Sequence, residues 1–177
     1  MCNDVQSFLK NSISSSNLLR RLTVYDKDWG HSIMRDEFWK RYKLETLTDD
    51  EWEALCDGCG RCCLIRFETK NREDVILTRA ACRLLDTDSC RCSDYKHRFT
   101  KVKGCLSIRQ LKDEEFRWLP KTCAYRRLKF DESLPEWHPL LSGKQRSVVD
   151  AGISVSGRVF SEDHIHPNEI ESLLLED

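Results

Sequence analysis

Cys56-Asp-Gly-Cys-Gly-Arg-Cys-Cys63 is the stretch of this sequence that decides its fold and its chemistry. Cysteines separated by two residues can face one centre when the backbone coils around it, as at tetrahedral zinc sites and iron–sulfur clusters. Adjacent cysteines such as Cys62 and Cys63 rarely bind one metal ion together, because neighbouring side chains diverge. We therefore predict Cys56, Cys59 and Cys62 at one centre, and we expect one of the adjacent pair to serve a second site or a core position.

Five more cysteines follow this motif, namely Cys82, Cys90, Cys92, Cys105 and Cys123. The Cys90-Arg-Cys92 pair is tighter than the usual pair separated by two residues, but positions i and i+2 of an extended backbone share a face. The nine clustered thiols are therefore all candidate metal ligands. They are enough for two four-coordinate centres with one to spare, or for a single polynuclear cluster and several buried free cysteines.

Disulfide bonds explain this cluster less well than metal does. The clustered count of nine is odd, so complete internal pairing is impossible. The N-terminus has no apolar segment behind a basic start, and a secretory signal is therefore not predicted. Many cysteines in a reducing compartment indicate metal or redox chemistry. We expect a cytoplasmic protein that binds zinc or iron, the latter either as an ion or in an iron–sulfur cluster.

The charge balance argues against nucleic-acid and membrane partners. The 177 residues carry a formal net charge of −1, which gives no global attraction to nucleic acid or anionic lipid. The segment from Arg79 to Lys103 has seven Lys and Arg residues against three Asp. These cations either offset thiolate charge or form a solvated basic face. We expect a monomer, with an unidentified protein partner left open.

Two regions differ in composition along the chain. Residues 1–33 are rich in Ser and Asn and are interpreted as a poorly ordered N-terminal extension whose only cysteine, Cys2, is incidental. Residues 34–177 are expected to form a single cysteine-cluster metal-binding domain. Met34 is an alternative native start of translation. The sequence contains no Ser-His-Asp order and no phosphate-binding loop, so it gives no support for a hydrolase or a nucleotide-binding protein. Whether the protein is an enzyme of another class is left open.

Local signals predict an α+β fold: a small, irregular, cysteine-rich domain organised around one or two metal centres. The Thr48-Asp-Asp-Glu51 segment is a capping box that begins a helix. Strands are predicted over Leu64–Glu68 and Val75–Leu77, followed by a helix from Arg79 to Leu85 that Thr78 caps. Alternation over Ser147–Phe160 predicts one or two further strands. The predicted core residues are Trp52, Leu64, Leu85, Trp118, Leu119, Tyr125, Trp137 and Leu140.

The cysteine motif and its flanks resemble a known family. The matching segments are Glu51-Trp-Glu-Ala-Leu-Cys-Asp-Gly-Cys-Gly-Arg-Cys-Cys63, Ala81-Cys-Arg-Leu-Leu85, Cys90-Arg-Cys-Ser-Asp-Tyr95 and Trp118-Leu-Pro-Lys-Thr-Cys-Ala-Tyr125. With these residues the chain resembles the YcgN family of bacterial proteins, within the broader CxxCxxCC group (YkgJ-type domain) of zinc- or iron-chelating proteins. The resemblance implies a metal or an iron–sulfur cluster in a bacterial cytosol, and it implies no known substrate.

Three functions agree with these patterns. The first is a metal-binding protein in which thiolate-bound zinc or iron helps to determine the fold. The second is an iron–sulfur protein with a redox or enzymatic role. The third is a metal carrier or insertion factor that gives its ion to a partner protein, which would favour exposed, exchangeable thiols.

Overall fold

A computed structural model of the chain describes residues 34–69 and 75–175. The predicted N-terminal extension over residues 1–33 lies outside the described residues, and the domain boundary at residue 34 stays a prediction. The described part combines short helices with a small sheet, so the expected α+β class is confirmed.

The elements are short and are separated by turns. The α-helices are α1 (Phe38–Arg41), α2 (Asp49–Ala54), α3 (Arg98–Lys101), α4 (Ala124–Lys129), α5 (Pro139–Ser142) and α6 (Ser147–Asp150). The strands are β1 (Leu64–Glu68), β2 (Val75–Ala81) and β3 (Phe160–Ser161). The 3-10 helices are Leu44–Thr46, Arg61–Cys63, Ile108–Gln110, Asp113–Trp118, Glu162–His164 and Pro167–Ser172.

The predicted capping box at the start of α2 is confirmed. The Thr48 hydroxyl accepts a hydrogen bond from the Glu51 N–H at 3.3 Å, and the Glu51 carboxylate accepts one from the Thr48 N–H at 3.0 Å. Glu51 is fully buried, and its Oε2 lies 2.5 Å from Nη2 of Arg35. The cap and the ion pair together fix the helix that leads into Cys56.

The sheet confirms the two predicted strands and corrects the helix predicted after them. Strands β1 and β2 pair antiparallel, with Leu64 opposite Ala81, and β3 adds to β2 in parallel. The expected helix from Arg79 to Leu85 is wrong, because β2 continues to Ala81. Thr78 does not cap a helix. It is buried within the strand, and its hydroxyl donates to the Ile65 carbonyl at 2.8 Å.

The predicted strands over Ser147–Phe160 are mostly absent from the described structure. The segment begins with α6 and then turns at Gly152 and Gly157, both of which have positive φ angles. These glycines break the alternation, since left-handed backbone does not continue a strand. Only Phe160, at the end of the segment, enters the sheet.

Two hydrophobic cores support the described part of the chain. The first is built from the helical segments and contains Phe38, Leu55 and Leu119. The second packs against the sheet and contains Leu64 and Val155. The core predictions are confirmed for Trp52, Leu64, Leu85, Leu119 and Tyr125, which are buried. Three predicted core residues are only partly buried, namely Trp118, Trp137 and Leu140.

Candidate metal centre

The adjacent cysteines of the motif contact different cores. Cys62 packs against the first core, as does Cys123, whereas Cys63 packs against the second. The pair therefore stands where the two cores meet. The short 3-10 helix Arg61–Cys63 places both residues there, immediately before β1 begins.

The first group of thiols consists of Cys56, Cys59, Cys62 and Cys123. Cys56 follows the end of α2, and Cys123 precedes the first residue of α4. The Tyr125 hydroxyl donates to the Trp52 carbonyl at 2.7 Å, and this buried bond ties α4 to α2. Cys123 is thereby held beside the motif although it lies far along the sequence.

Dense surroundings and neighbouring acidic groups keep these thiols protonated. Burial, with contributions from the nearby Cys62 and Asp57, raises the pKa of Cys56 to about 12. Burial also leads the causes that raise the pKa of Cys59 and of Cys123, again with Cys62 and Asp57 contributing. Cys56 as a residue is exposed, so one edge of this desolvated group reaches the surface. Chelation of a metal would release these protons.

Backbone N–H groups lie near three sulfurs of the group and oppose the effect of burial on their pKa. The Gly58 N–H lowers the pKa of the Cys56 thiol against the effect of burial. The N–H groups of Arg61 and Arg126 act in the same way on the pKa of Cys59 and of Cys123. Such donors stabilise the thiolate form, which is the form that binds metal.

Asp57 supplies a buried carboxylate oxygen beside the same thiols. Its Oδ1 accepts a hydrogen bond from the Cys59 N–H at 3.0 Å. Its Oδ2 is buried and has no hydrogen-bond partner in the described part of the protein. An unpaired buried carboxylate oxygen is costly unless a cation compensates it. The donor set of thiols and one free carboxylate oxygen therefore fits a cation such as zinc or iron.

The candidate ligand side chains are near one another but do not converge on a common metal position. Among residues 34–69 and 75–175, no three Cys, His, Asp or Glu side chains are gathered closely enough to hold a metal ion as they stand. The motif has room to adjust: a Cβ added at Gly58 would meet no atom within 4 Å. Chelation would draw the sulfurs together around the ion.

His138 is a supporting residue rather than a ligand in this arrangement. It is fully buried, and its Nδ1 accepts a hydrogen bond from the Leu140 N–H at 3.2 Å. The proton therefore sits on Nε2, which donates to the Leu55 carbonyl at 3.2 Å. Burial lowers the pKa of His138, so the ring is neutral. Both ring nitrogens are used, and the residue fixes the backbone just before Cys56.

A second group of cysteines lies along the start of the sheet and the loop after it. Cys82 donates its N–H to the Cys63 carbonyl at 2.8 Å, directly after the Leu64–Ala81 pair. An isolated antiparallel bridge joins Leu85 to Cys92. The pKa of Cys105 is raised by burial, lowered by Arg98, and raised by the neighbouring thiols of Cys82, Cys92 and Cys62. Backbone contacts bring Cys63, Cys82 and Cys92 near one another, and the thiols of Cys82, Cys92 and Cys62 all act on the pKa of Cys105.

Cys90 stands apart from both groups. It is buried inside the second core, and its Sγ lies 3.5 Å from the Ser154 hydroxyl. A Cβ added at Gly60 would lie 3.0 Å from the same sulfur. Cys90 therefore fills a packed position, although the sequence places it among the candidate ligands.

Comparison with known proteins places this chain in a family. Residues 55–124, which include all nine clustered cysteines, match the CxxCxxCC family model described as a "Putative zinc- or iron-chelating domain". A UPF0260 protein of Pseudomonas putida (strain GB-1) is 46% identical over 138 residues, covering 78% of this chain and 92% of the relative. The chain belongs to the UPF0260 family.

Other UPF0260 proteins align over a similar share of the chain. The relative from Granulibacter bethesdensis is 49% identical over 132 residues, covering 75% of this chain and 80% of the relative. The relative from Aliivibrio fischeri is 44% identical over 144 residues, covering 76% of this chain and 99% of the relative. No solved structure matches this UPF0260 chain. Within its described residues, no helix is long and apolar enough to cross a membrane.

Proposed function

We propose that this UPF0260 protein chelates zinc or iron through Cys56, Cys59, Cys62 and Cys123. The observation that carries the proposal is the unpaired Oδ2 of Asp57, which is buried beside these four thiols. A cation held by the sulfurs would lie beside this oxygen and offset part of the negative charge of the carboxylate and the thiolates. The same thiolate set suits tetrahedral zinc and a cubane iron–sulfur cluster.

The proposal includes the biological setting expected from the sequence. We place the protein in the cytoplasm as a monomer of the YcgN branch, without nucleic-acid or membrane partners. The bound metal then has a fold-stabilising role, because the ligands come from segments as far apart in sequence as Cys56 and Cys123.

Anaerobic purification from a bacterial host, followed by metal analysis and a visible spectrum, tests this function. We expect one or two zinc or iron ions per chain, or about four irons with four sulfides for a cubane cluster. A colourless zinc protein and a brown iron protein with acid-labile sulfide identify the two forms. The Cys59→Ser variant should lose metal and melt at a lower temperature, whereas Cys2→Ser should match the unaltered protein. Metal-free protein from the unaltered chain, or full metal content in Cys59→Ser, would refute the proposal.

One observation favours a second candidate function, that of a metal carrier. Cys56 is exposed as a residue, whereas Cys59 is buried. An incoming thiol or chelator could therefore attack a metal from the side of Cys56 and exchange one ligand at a time. A carrier should release its metal to a competing chelator within minutes and should regain it from a partner, while a structural site should keep its metal until the domain unfolds.

A further inference from the structure

We propose that an aromatic and basic surface next to Cys56 is a docking site for an acidic segment of a partner protein. This surface, called the aromatic–basic surface, consists of Tyr95, Lys96, Arg98, Phe99 and Lys103. The inference goes beyond the proposed function and does not require a bound metal, because none of the thiols belongs to the surface. It gives a chemical character to the protein partner that the sequence leaves unidentified.

Two large aromatic side chains of this surface stand in solvent. Tyr95 is 52% exposed, and Phe99 is 46% exposed. The Arg98 guanidinium lies 3.6 Å from the centre of the Tyr95 ring and 4.2 Å from that of the Phe99 ring. Its Nη1 also donates to the Tyr95 carbonyl at 2.5 Å. Arg98 therefore holds both rings before a partner arrives, and groups that are ordered in advance lose little conformational entropy on binding.

The positive charge of this segment is largely uncompensated. Residues 91–103 contain five Lys and Arg residues against one Asp. That acid, Asp94, is already engaged, because its carboxylate lies 2.9 Å from Nδ1 of His97 and 2.5 Å from Nζ of Lys101. The three basic residues of the aromatic–basic surface form no ion pair within residues 34–69 and 75–175. An acidic segment would complement these charges, and Tyr and Arg beside them are the residue types that often dominate binding energy at interfaces.

Contacts with α2 place the aromatic–basic surface beside the first group of thiols. The Tyr95 hydroxyl donates to the Glu53 carboxylate, 3.4 Å from Oε1 and 3.5 Å from Oε2. The Glu53 carbonyl in turn accepts a hydrogen bond from the Cys56 N–H at 3.2 Å. Cys56 is exposed, so a partner bound to the rings would lie next to the solvent edge of the thiols. That position suits a protein that delivers an ion to this chain or takes one from it.

An acidic protein segment explains this surface better than the chain itself or a nucleic acid does. Residues 1–33 carry four Lys and Arg against three Asp, so they do not supply an acidic segment. The acidic C-terminal segment meets the sheet instead, where the Leu175 N–H donates to the Leu77 carbonyl at 2.8 Å. A nucleic-acid site normally has a larger positive footprint, whereas this chain has a net charge of −1.

Binding of an acidic peptide to the full-length protein tests the docking site. The probe is a fluorescein-labelled synthetic peptide of repeating Glu-Glu-Leu units, and fluorescence anisotropy follows its binding at low ionic strength and at about 0.15 M salt. A peptide with Gln in place of every Glu is the uncharged control. We expect saturable binding of the acidic peptide that weakens with salt, and binding of the Gln peptide that is weaker by about tenfold or more.

Two charge-reversal variants separate this surface from a general effect of net charge. Lys96→Glu/Lys103→Glu should weaken peptide binding by about tenfold or more. Lys144→Glu/Arg146→Glu makes the same change of net charge at exposed positions between α5 and α6, and it should leave the affinity within about twofold. All four positions are exposed, and thermal unfolding of each variant confirms that its fold is kept.

A second matched pair tests the aromatic part of the surface. Phe99→Ala should weaken peptide binding by about fivefold, as expected for a ring that contacts the partner. Phe160→Ala removes a ring of similar exposure, 51%, over which Arg79 lies at 5.3 Å, and it should leave the affinity unchanged. Equal weakening by the two substitutions, or no weakening by Phe99→Ala, would show that the rings do not contact the peptide as proposed.

The remaining outcomes identify other occupants or none. The docking site is overturned if the acidic peptide does not bind saturably, if both charge-reversal variants weaken it equally, or if a single-stranded oligothymidylate binds more tightly than the peptide. A dimer in analytical ultracentrifugation that dissociates in Lys96→Glu/Lys103→Glu would assign the surface to a second copy of the chain. Metal content is measured on the same preparation. Full metal without peptide binding overturns the docking site alone, whereas peptide binding without any metal overturns the proposed function alone.

Discussion

Replacing Glu51 by Gln tests how α2 is held in front of the metal motif. The Arg35 guanidinium, by hydrogen bonding to the Glu51 carboxylate, holds the pKa of that carboxylate at about 2, against an ordinary value of 4.5. Gln keeps the size of the side chain and an acceptor for the Thr48 N–H. The substitution therefore removes the charge and leaves Arg35 without its ion pair.

The expected loss follows from the shift in pKa. A depression of roughly 2.5 units corresponds to about 3.4 kcal/mol at most, at about 1.4 kcal/mol per unit. Arg35 is 35% exposed, so water and salt screen the pair although Glu51 itself is buried. We therefore expect Glu51→Gln to reduce the free energy of unfolding by about 1 to 2 kcal/mol at pH 7.

The loss should depend on pH in a defined direction. Because the pKa of Glu51 is lower in the folded state than in the unfolded state, its stabilisation is present above about pH 4.5 and disappears as pH falls towards 2. Urea unfolding followed by tryptophan fluorescence measures this at pH 7 and pH 3.5, with a chelator and a reductant present throughout. Glu53→Gln, at an exposed position of the same helix, is the matched control.

The comparison has a clear refuting result. Glu53→Gln should change stability by less than about 0.5 kcal/mol. If Glu51→Gln is as stable as this control at pH 7, or if its deficit grows as the solution becomes more acidic, the ion pair with Arg35 does not stabilise the folded state as argued.

Two further substitutions test the framework of the site by thermal and urea unfolding. Gly60→Ala should lower the free energy of unfolding by about 2 to 3 kcal/mol, because φ at this position is +76° and the new Cβ would lie 2.8 Å from the Val155 side chain. Gly58→Ala has a similar φ of +74° but open space around the new Cβ, so it should lower the free energy of unfolding by only about 1 kcal/mol. Equal losses would contradict the packing argument. Tyr125→Phe should lower the free energy of unfolding by about 1 kcal/mol and weaken metal retention, because it removes the hydrogen bond to the Trp52 carbonyl. Unchanged stability and unchanged metal retention would contradict this role of Tyr125.

The features predicted correctly from the sequence are those whose causes are local. The capping box needs only Thr48 and Glu51, three residues apart, and the structure forms both of its hydrogen bonds. The strand over Leu64–Glu68 follows from its apolar and β-favouring residues. In both cases the residues that decide the structure lie within a few positions of one another in the chain.

The wrong predictions concern segments whose conformation depends on distant partners. Thr78 is a residue type that often caps a helix, but its hydroxyl donates to the Ile65 carbonyl on the neighbouring strand, and this contact favours a longer strand. The segment Ser147–Phe160 lacks a neighbouring strand over most of its length. Alternation alone could not reveal that, because a strand needs a partner as well as a pattern.

The division of the cysteines could be predicted only in part. Cys62 and Cys63 each pack against a different core, and the expectation that one of them serves a second site or a core position stays a prediction. Nothing in the spacing distinguishes Cys90 from Cys92, because both lie in the same tight pair. The distinction arises from Gly60 and Ser154, which surround the Cys90 sulfur after folding.

Arg66 shows most clearly how the fold creates chemistry that a motif does not contain. In the sequence it is one basic residue in the alternating strand β1, without a signal of function. In the structure its guanidinium lies among the thiols of Cys62, Cys63 and Cys105, at the place where both cores meet the cysteines. A half-buried cation beside neutral thiols carries a desolvation cost that thiolates around a metal would offset. If the proposed site holds a metal, its removal should therefore loosen both cores together.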